Sequence, residues 1–208
     1  MAVMPSRPRQ LGPHLCYHVR VQCNNRAFRF ESVSDFQQYL AILFTARDEQ
    51  KFLLHHFMLM HTHVHLLITT PGPIFLDRIM QRINHRYAID YHTRHQRTGH
   101  FWMHGYRCAI VDSDRYALAC MRYLDRNPIR AGVVTDPSEW PWSGHRFYAF
   151  GDREYLLDSH ESYLGMANEQ GTRQSYYRTF CLQHLPADDV REQKTIRQAM
   201  VRYGRVKS

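Results

Sequence analysis

Two histidines with one residue between them, His63 and His65, close the stretch Met58-Leu-Met-His-Thr-His-Val-His65 and run on into Leu66, Leu67 and Ile68. Such alternation belongs to a β-strand, whose side chains leave opposite faces with a period of two. The spacing predicts that both imidazoles project from one face while Val64 and Leu66 enter the core. Two neutral imidazoles side by side on a rigid strand suit a divalent metal. The same pattern also serves as polar decoration of a solvated face, and 15 histidines make an accidental pair easy. Further along, Tyr123 and Asn127 stand four apart where the spacing is helical, and so share a face. A metal held by His63, His65 and the Asn127 carbonyl oxygen would polarise a phosphodiester. Tyr123 would attack in line, displace a 3′ hydroxyl and leave a 5′-phosphotyrosine. Exchanging one phosphoester for another conserves bond energy, so rejoining needs no ATP. The phenol's ordinary pKa of about 10 is a handicap that the metal or a neighbouring arginine lowers. A core tyrosine followed by a helix-terminal asparagine is the plainer account of that pair.

The elements that must position these groups can be read in order. Leu15, Tyr17, Val19, Val21 and Cys23 alternate with polar residues, a first strand. Ser34 with Gln37 reads as a capping box before a helix over residues 35–47. Residues 52–59 and 63–69 form two strands joined by a short turn, and Pro71-Gly72-Pro73 breaks the chain. Leu76, Ile79, Met80, Ile83 and Tyr87 mark a second helix, with Arg78, Arg82 and Arg86 in a row on another of its faces. Residues 106–111 make a fourth strand. A third helix, capped at Asp112 or Ser113, carries Tyr116, Ala119, Cys120 and Tyr123 and stops near Asn127, because Pro128 disfavours the α conformation before it. This order predicts an α+β, ferredoxin-like fold: an antiparallel sheet with helices packed on one side. Residues 1–13 read as a flexible N-terminus, 14–150 as the catalytic domain, and 151–208 as an accessory helical segment.

Charge points to the partner. The net charge is +8, and among 27 basic residues only Lys51, Lys194 and Lys207 are lysine. Guanidinium groups suit bidentate phosphate contacts and stacking on bases, so the balance favours nucleic acid. Residues 91–107 interleave histidine, arginine and aromatic residues with little acid, which fits a single-stranded site. Candidate DNA contacts are Arg78, Arg82, Arg86, Arg94, Arg97 and Arg107, with Phe101 and Trp102 as stacking partners. The five cysteines contain no CxxC, which argues against a disulfide framework and a thiolate zinc site. No apolar run is long enough to span a membrane, and the first residues lack a signal-peptide core, so the expected location is the cytoplasm, on the nucleoid when bound to DNA.

Several stretches together resemble one family. They are Tyr17-His18-Val19 with Asn24-Asn25-Arg26, MHTHVHLL at 60–67, TGHFWMHGYR at 98–107, Val111-Asp112-Ser113, RYLDRNPIRAG at 122–132 and Trp140-Pro-Trp142-Ser143. In that order the chain resembles the single-tyrosine HUH transposases over about residues 15–150, most closely their REP-associated tyrosine transposase branch. The resemblance implies a nucleophile at Tyr123, Mg²⁺ or Mn²⁺ bound by His63, His65 and Asn127, and cleavage and rejoining of single-stranded DNA at hairpin-forming palindromic repeats. Where the family usually has Pro-Asn before the first motif histidine, this chain has His61-Thr62, which makes His61 a further candidate ligand. Two other functions compete. One is a domesticated, non-catalytic hairpin-binding regulator. The other is a metal-dependent nuclease using water as nucleophile, with pairs such as His92/His95 or His100/His104. Monomer and homodimer are both compatible with the sequence.

Overall fold

The computed structural model describes residues 12–72, 75–103, 105–153, 155, 157–183 and 186–202. His104 and most of the expected N-terminal segment lie outside them. Among the described residues there are five strands: β1 (Cys16–Gln22), β2 (Leu53–Met60), β3 (His63–Thr69), β4 (Arg107–Ile110) and β5 (Val201–Arg202). They form one sheet in the order β2-β3-β1-β4-β5, antiparallel at every pairing. The first four strands stand in the ferredoxin-like order expected from the sequence. The fifth comes from the C-terminal segment and adds to the β4 edge.

Helices α1 (Val33–Gln50) and α2 (Leu76–His95) cover one face. Phe57 of β2 meets Phe44 of α1 edge-on, and Phe30, Tyr39 and Tyr87 cluster between the two helices. The start of α1 lies two residues before the expected capping box. Ser32 accepts from the Asp35 amide while the Asp35 carboxylate accepts from the Ser32 amide. That carboxylate is buried and also holds Arg94 and His95 of α2, each at 2.7 Å, which selects it over Gln37 as the reciprocal partner.

The opposite face carries α3 (Asp114–Asp125), the short α4 (Asn127–Arg130), α5 (His145–Phe150), α6 (Glu161–Leu164), α7 (Gln170–Leu182) and α8 (Pro186–Ala199). So α1 and α2 share one side of the sheet, and a second helical layer holding Tyr123 closes the other. Consecutive residues of β2 show the division, since Phe57 faces α1 while His56 faces Asp125 of α3. Tyr148, Tyr163 and Tyr177 pack together beneath α3, so the chain after residue 150 shares its core. The helical path bends between Asp125 and Asn127 because Pro128 offers no amide hydrogen; it is tolerated in the first turn of α4. Residues 140–144 run along the outer edge of β2: Trp142 O accepts from the Leu59 amide, the Trp140 indole donates to Leu59 O, and Gly144 N donates to Phe57 O.

Candidate active site

Strand register decides which side chains meet. Arg20 stands opposite His65, Gln22 opposite His63 and His18 opposite Leu67, while Arg107 stands opposite Arg20. Directly paired residues project to the same side of a sheet. His63, His65, His18, Arg20 and Arg107 therefore share the face that α3 covers. His63 and His65 lie with ring centroids 5.1 Å apart, as the HxH spacing predicts. Tyr123 comes down from α3 edge-on to His65 at 5.5 Å and to His18 at 5.9 Å. Asn127, one turn further, lies close enough to act on the His63 side chain. The expected constellation of His63, His65, Tyr123 and Asn127 is thus brought together.

Several neighbours were not singled out from the sequence. His18 Nε2 lies 2.9 Å from His65 Nδ1. The Arg130 guanidinium stacks over the Tyr123 ring at 4.3 Å and donates to the Tyr123 carbonyl oxygen. Burial lowers the Arg20 pKa, Tyr123 opposes that shift, and Arg197, Arg107 and Arg26 add to it. His18 and Arg20 were legible as the polar half of the β1 alternation. Arg130 lies seven residues after Tyr123, about two helical turns. Arg197, from a weakly patterned tail, had no signal.

Does this set fit a metal? Burial, then Arg20, pushes the pKa of His63 down to about 3, against a contribution from Asn127 in the other direction. Burial, then His18 and His63, holds His65 well below the ordinary histidine range. Both rings are therefore neutral at physiological pH, the form that ligates. His65 Nε2 is buried with no hydrogen-bond partner, while its other nitrogen is held by His18. If Nδ1–H donates to His18, Nε2 presents a lone pair; orienting one ring nitrogen to free the other is how ligating histidines are usually held. Thr62 Oγ1 contacts His63 Nδ1 at 3.0 Å and does the same for the first histidine. Two imidazoles and an amide oxygen are a donor set that Mg²⁺ or Mn²⁺ accepts, with open positions for phosphate oxygens and water. His61 is not part of it. Its Nδ1 bonds the Phe30 carbonyl at 2.6 Å, and its ring packs among Phe28, Phe36 and Trp140.

The other candidate residues divide. Phe101 is 2% exposed and packs among Phe30, Tyr87 and Tyr91, so it is a core aromatic and not a surface for stacking bases. Trp102 is half-buried and donates its indole N–H to Asn84 O. Arg94 is held by Asp35 and Asp90, and Arg82 by Glu49. Arg78, Arg82 and Arg86 line an open groove of about 1010 Å³ with Glu49 and His85, on the α1/α2 side and so away from His63 and Tyr123. Arg97 is exposed at the end of α2, and Arg107 is exposed on the active face. His95 is bound to Asp35 through Nε2 and stacked on Tyr91, whereas both ring nitrogens of His92 are buried without a hydrogen-bond partner.

Residues 13–127 match the family model described as "Transposase IS200 like". The chain belongs to the IS200-like transposase family. Among solved structures it is similar to a REP-associated tyrosine transposase bound to a REP hairpin, with 18% identity and a TM-score of 0.59 over 76% of this chain and 94% of that one. The two share a fold. It is also similar to a proposed transposase from Deinococcus radiodurans R1, with 18% identity and a TM-score of 0.43 over 54% of this chain and 91% of that one. No curated protein matches the chain. The family is the one its motifs resemble, and membership assigns it to transposase-type processing of DNA. Among the described residues no helix is long and apolar enough to cross a membrane.

Proposed function

We propose that this IS200-like transposase is a single-tyrosine HUH strand transferase of the REP-associated branch, cleaving and rejoining single-stranded DNA beside hairpin-forming repeats. The observation that carries the reading is the meeting of Tyr123 with the His63–His65 pair, whose Nε2 on His65 is buried and unpartnered. The Tyr123 hydroxyl gives up its proton as its oxygen attacks the phosphorus, the P–O3′ bond breaks, and the departing 3′ oxygen takes up a proton, leaving the 5′ phosphate esterified to the phenol. The reverse attack by a 3′ hydroxyl rejoins the strand and frees Tyr123. Arg130 holds the tyrosine ring from above, and Arg20 supplies positive charge beside the phenol for the negative charge that develops on it. His63, His65 and Asn127 would hold Mg²⁺ or Mn²⁺, which when bound supplies Lewis-acid polarisation of the scissile phosphate.

Arg107 and Arg20 are the substrate-backbone contacts this reading favours on the active face. Arg78, Arg86 and Arg97 offer exposed charge elsewhere, suited to a folded DNA that wraps the domain. The relative with the same fold is bound to a REP hairpin, which supports a hairpin as substrate here. The test is a labelled single-stranded hairpin with Mn²⁺, examined for a detergent-stable protein–DNA band. Wild type should form it and Tyr123→Phe should not. Cleavage without any adduct would favour water as nucleophile, and binding without cleavage a regulator.

A further inference from the structure

Midway between Tyr123 and Asn127 lies Asp125, the one acidic residue of that stretch, fully buried from solvent. A bare buried carboxylate is costly unless it is paired and hydrogen-bonded. Asp125 is surrounded from three other elements. Its Oδ2 accepts from His145 Nδ1 of α5 at 2.9 Å and from the Tyr177 hydroxyl of α7 at 2.6 Å, with the Cys181 thiol at 3.6 Å. Its Oδ1 lies 3.0 Å from Nε2 of His56 on β2, an approach off the line of a hydrogen bond. The other nitrogen of His56 donates to the Phe57 carbonyl, which fixes the ring. Burial would raise the carboxyl pKa, but the charges of His56 and His145 and the hydrogen bond from His145 outweigh it and hold Asp125 ionised.

The placement gives this cluster a role that a core ion pair elsewhere would lack. Asp125 ends α3 and Asn127 begins α4, so the chain between nucleophile and expected ligand is pinned at its bend. His56 stands opposite Leu67 on β3, the strand that carries His63 and His65. One carboxylate thus ties the Tyr123–Asn127 backbone to the sheet that carries the histidine pair, and α7 supplies a donor to it. Resting on the reading of Tyr123 as nucleophile, we infer that Asp125 is a positioning residue. With His56, His145 and Tyr177, it sets Tyr123 and Asn127 relative to His63 and His65, which makes the C-terminal α7 part of the catalytic apparatus. Asp125, His145 and Cys181 also resemble a small metal site. Oδ2 is, however, already satisfied by direct donors at hydrogen-bond distance.

The experiment is single-turnover formation of the tyrosyl–DNA adduct on a hairpin with saturating Mn²⁺, in wild type, Asp125→Asn and Tyr177→Phe. The rate constant reports alignment, whereas the amplitude reports the fraction of molecules that are folded and competent. Positioning requires the Asp125→Asn rate constant to fall by about 10- to 100-fold, as when a group supporting a reactive or ligating side chain is lost, with amplitude and hairpin affinity retained. Tyr177→Phe, which removes one hydroxyl, should slow the step by a smaller factor, and it carries the test if Asp125→Asn does not fold. Unchanged rate constants with reduced amplitude would mean a merely structural cluster and overturn the inference. So would one equivalent of zinc in the purified protein that is lost in Cys181→Ser. An absent adduct in wild type would instead refute the reading of Tyr123 on which this one rests.

Discussion

The turn before the histidine pair offers a sharp test of how the metal ligands are set. Thr62 directly precedes the histidine pair, and its hydroxyl lies 3.0 Å from His63 Nδ1. Thr62→Val keeps the shape of the side chain and removes that partner alone. A neutral hydrogen bond of this kind contributes about 1 kcal/mol net, about a fivefold change in an equilibrium. Partners of metal-bound histidines commonly cost more, about 10- to 100-fold in metal affinity, because they set both tautomer and ring angle. Asn127 also acts on His63, so the expected loss is near the low end, about 5- to 20-fold. The assay is the Mn²⁺ concentration giving half-maximal adduct formation, with thermal melting in parallel. Melting should change little, since Thr62 is half-exposed. If the Mn²⁺ curves of variant and wild type superpose, Thr62 does not orient a ligating His63, and the reasoning from hydroxyl to metal is refuted.

Other outcomes follow from the same contacts. His61→Ala should leave the Mn²⁺ requirement unchanged while lowering stability by about 1–3 kcal/mol, because the ring serves Phe30 O and its aromatic neighbours; a lost metal response in titration would restore His61 as a ligand. Phe101→Ala should cost about 3–5 kcal/mol in denaturant unfolding, as for a core aromatic; intact stability with weakened hairpin binding would contradict its burial. Arg82→Ala should leave the adduct rate unaltered, since its charge is paired with Glu49 across the sheet from Tyr123; a slowed rate would place DNA on that groove during cleavage. Asp35 bears on pH. Burial would raise its pKa, but the Ser32 amide and then His95 and Arg94 bring it below the ordinary carboxylate range. Its contribution to stability is therefore full above the unfolded pKa of about 3.9 and is lost as pH falls below it. The stability gap between wild type and Asp35→Asn, measured by urea unfolding, should shrink between about pH 5 and pH 2; a gap that widens in acid would reverse the assignment.

The HxH alternation was legible because a strand's period of two survives any tertiary context, and the register then added His18 and Arg20 without further signal. Tyr123 and Asn127 were legible as a helical pair, although the bend at Pro128 divides them between two helices. The arginines were harder to read. Side-chain charge says nothing of which layer a helix joins or which acid it meets, so Arg82 and Arg94 turned out to be paired and the row on α2 fell on the far side of the sheet. Phe101 misled for a related reason, since an aromatic residue in a basic loop is as readily a plug for the core as a platform for bases. The role of α7 could not be read from its weak periodicity, because Tyr177 acts through one hydroxyl aimed at a residue 52 positions away.

The segment at 140–144 has a consequence for how copies of this protein can associate. By hydrogen-bonding along β2 it occupies the outer border of the sheet, and β5 pairs with β4 at the opposite border. Exposed borders are where one chain recruits strands from another, in dimers and in aggregates alike. Along β2 such recruitment would first have to peel away part of the chain itself. Growth of the sheet from one molecule into the next is thus disfavoured along β2, leaving the neighbouring strand that carries His63 and His65 undisturbed.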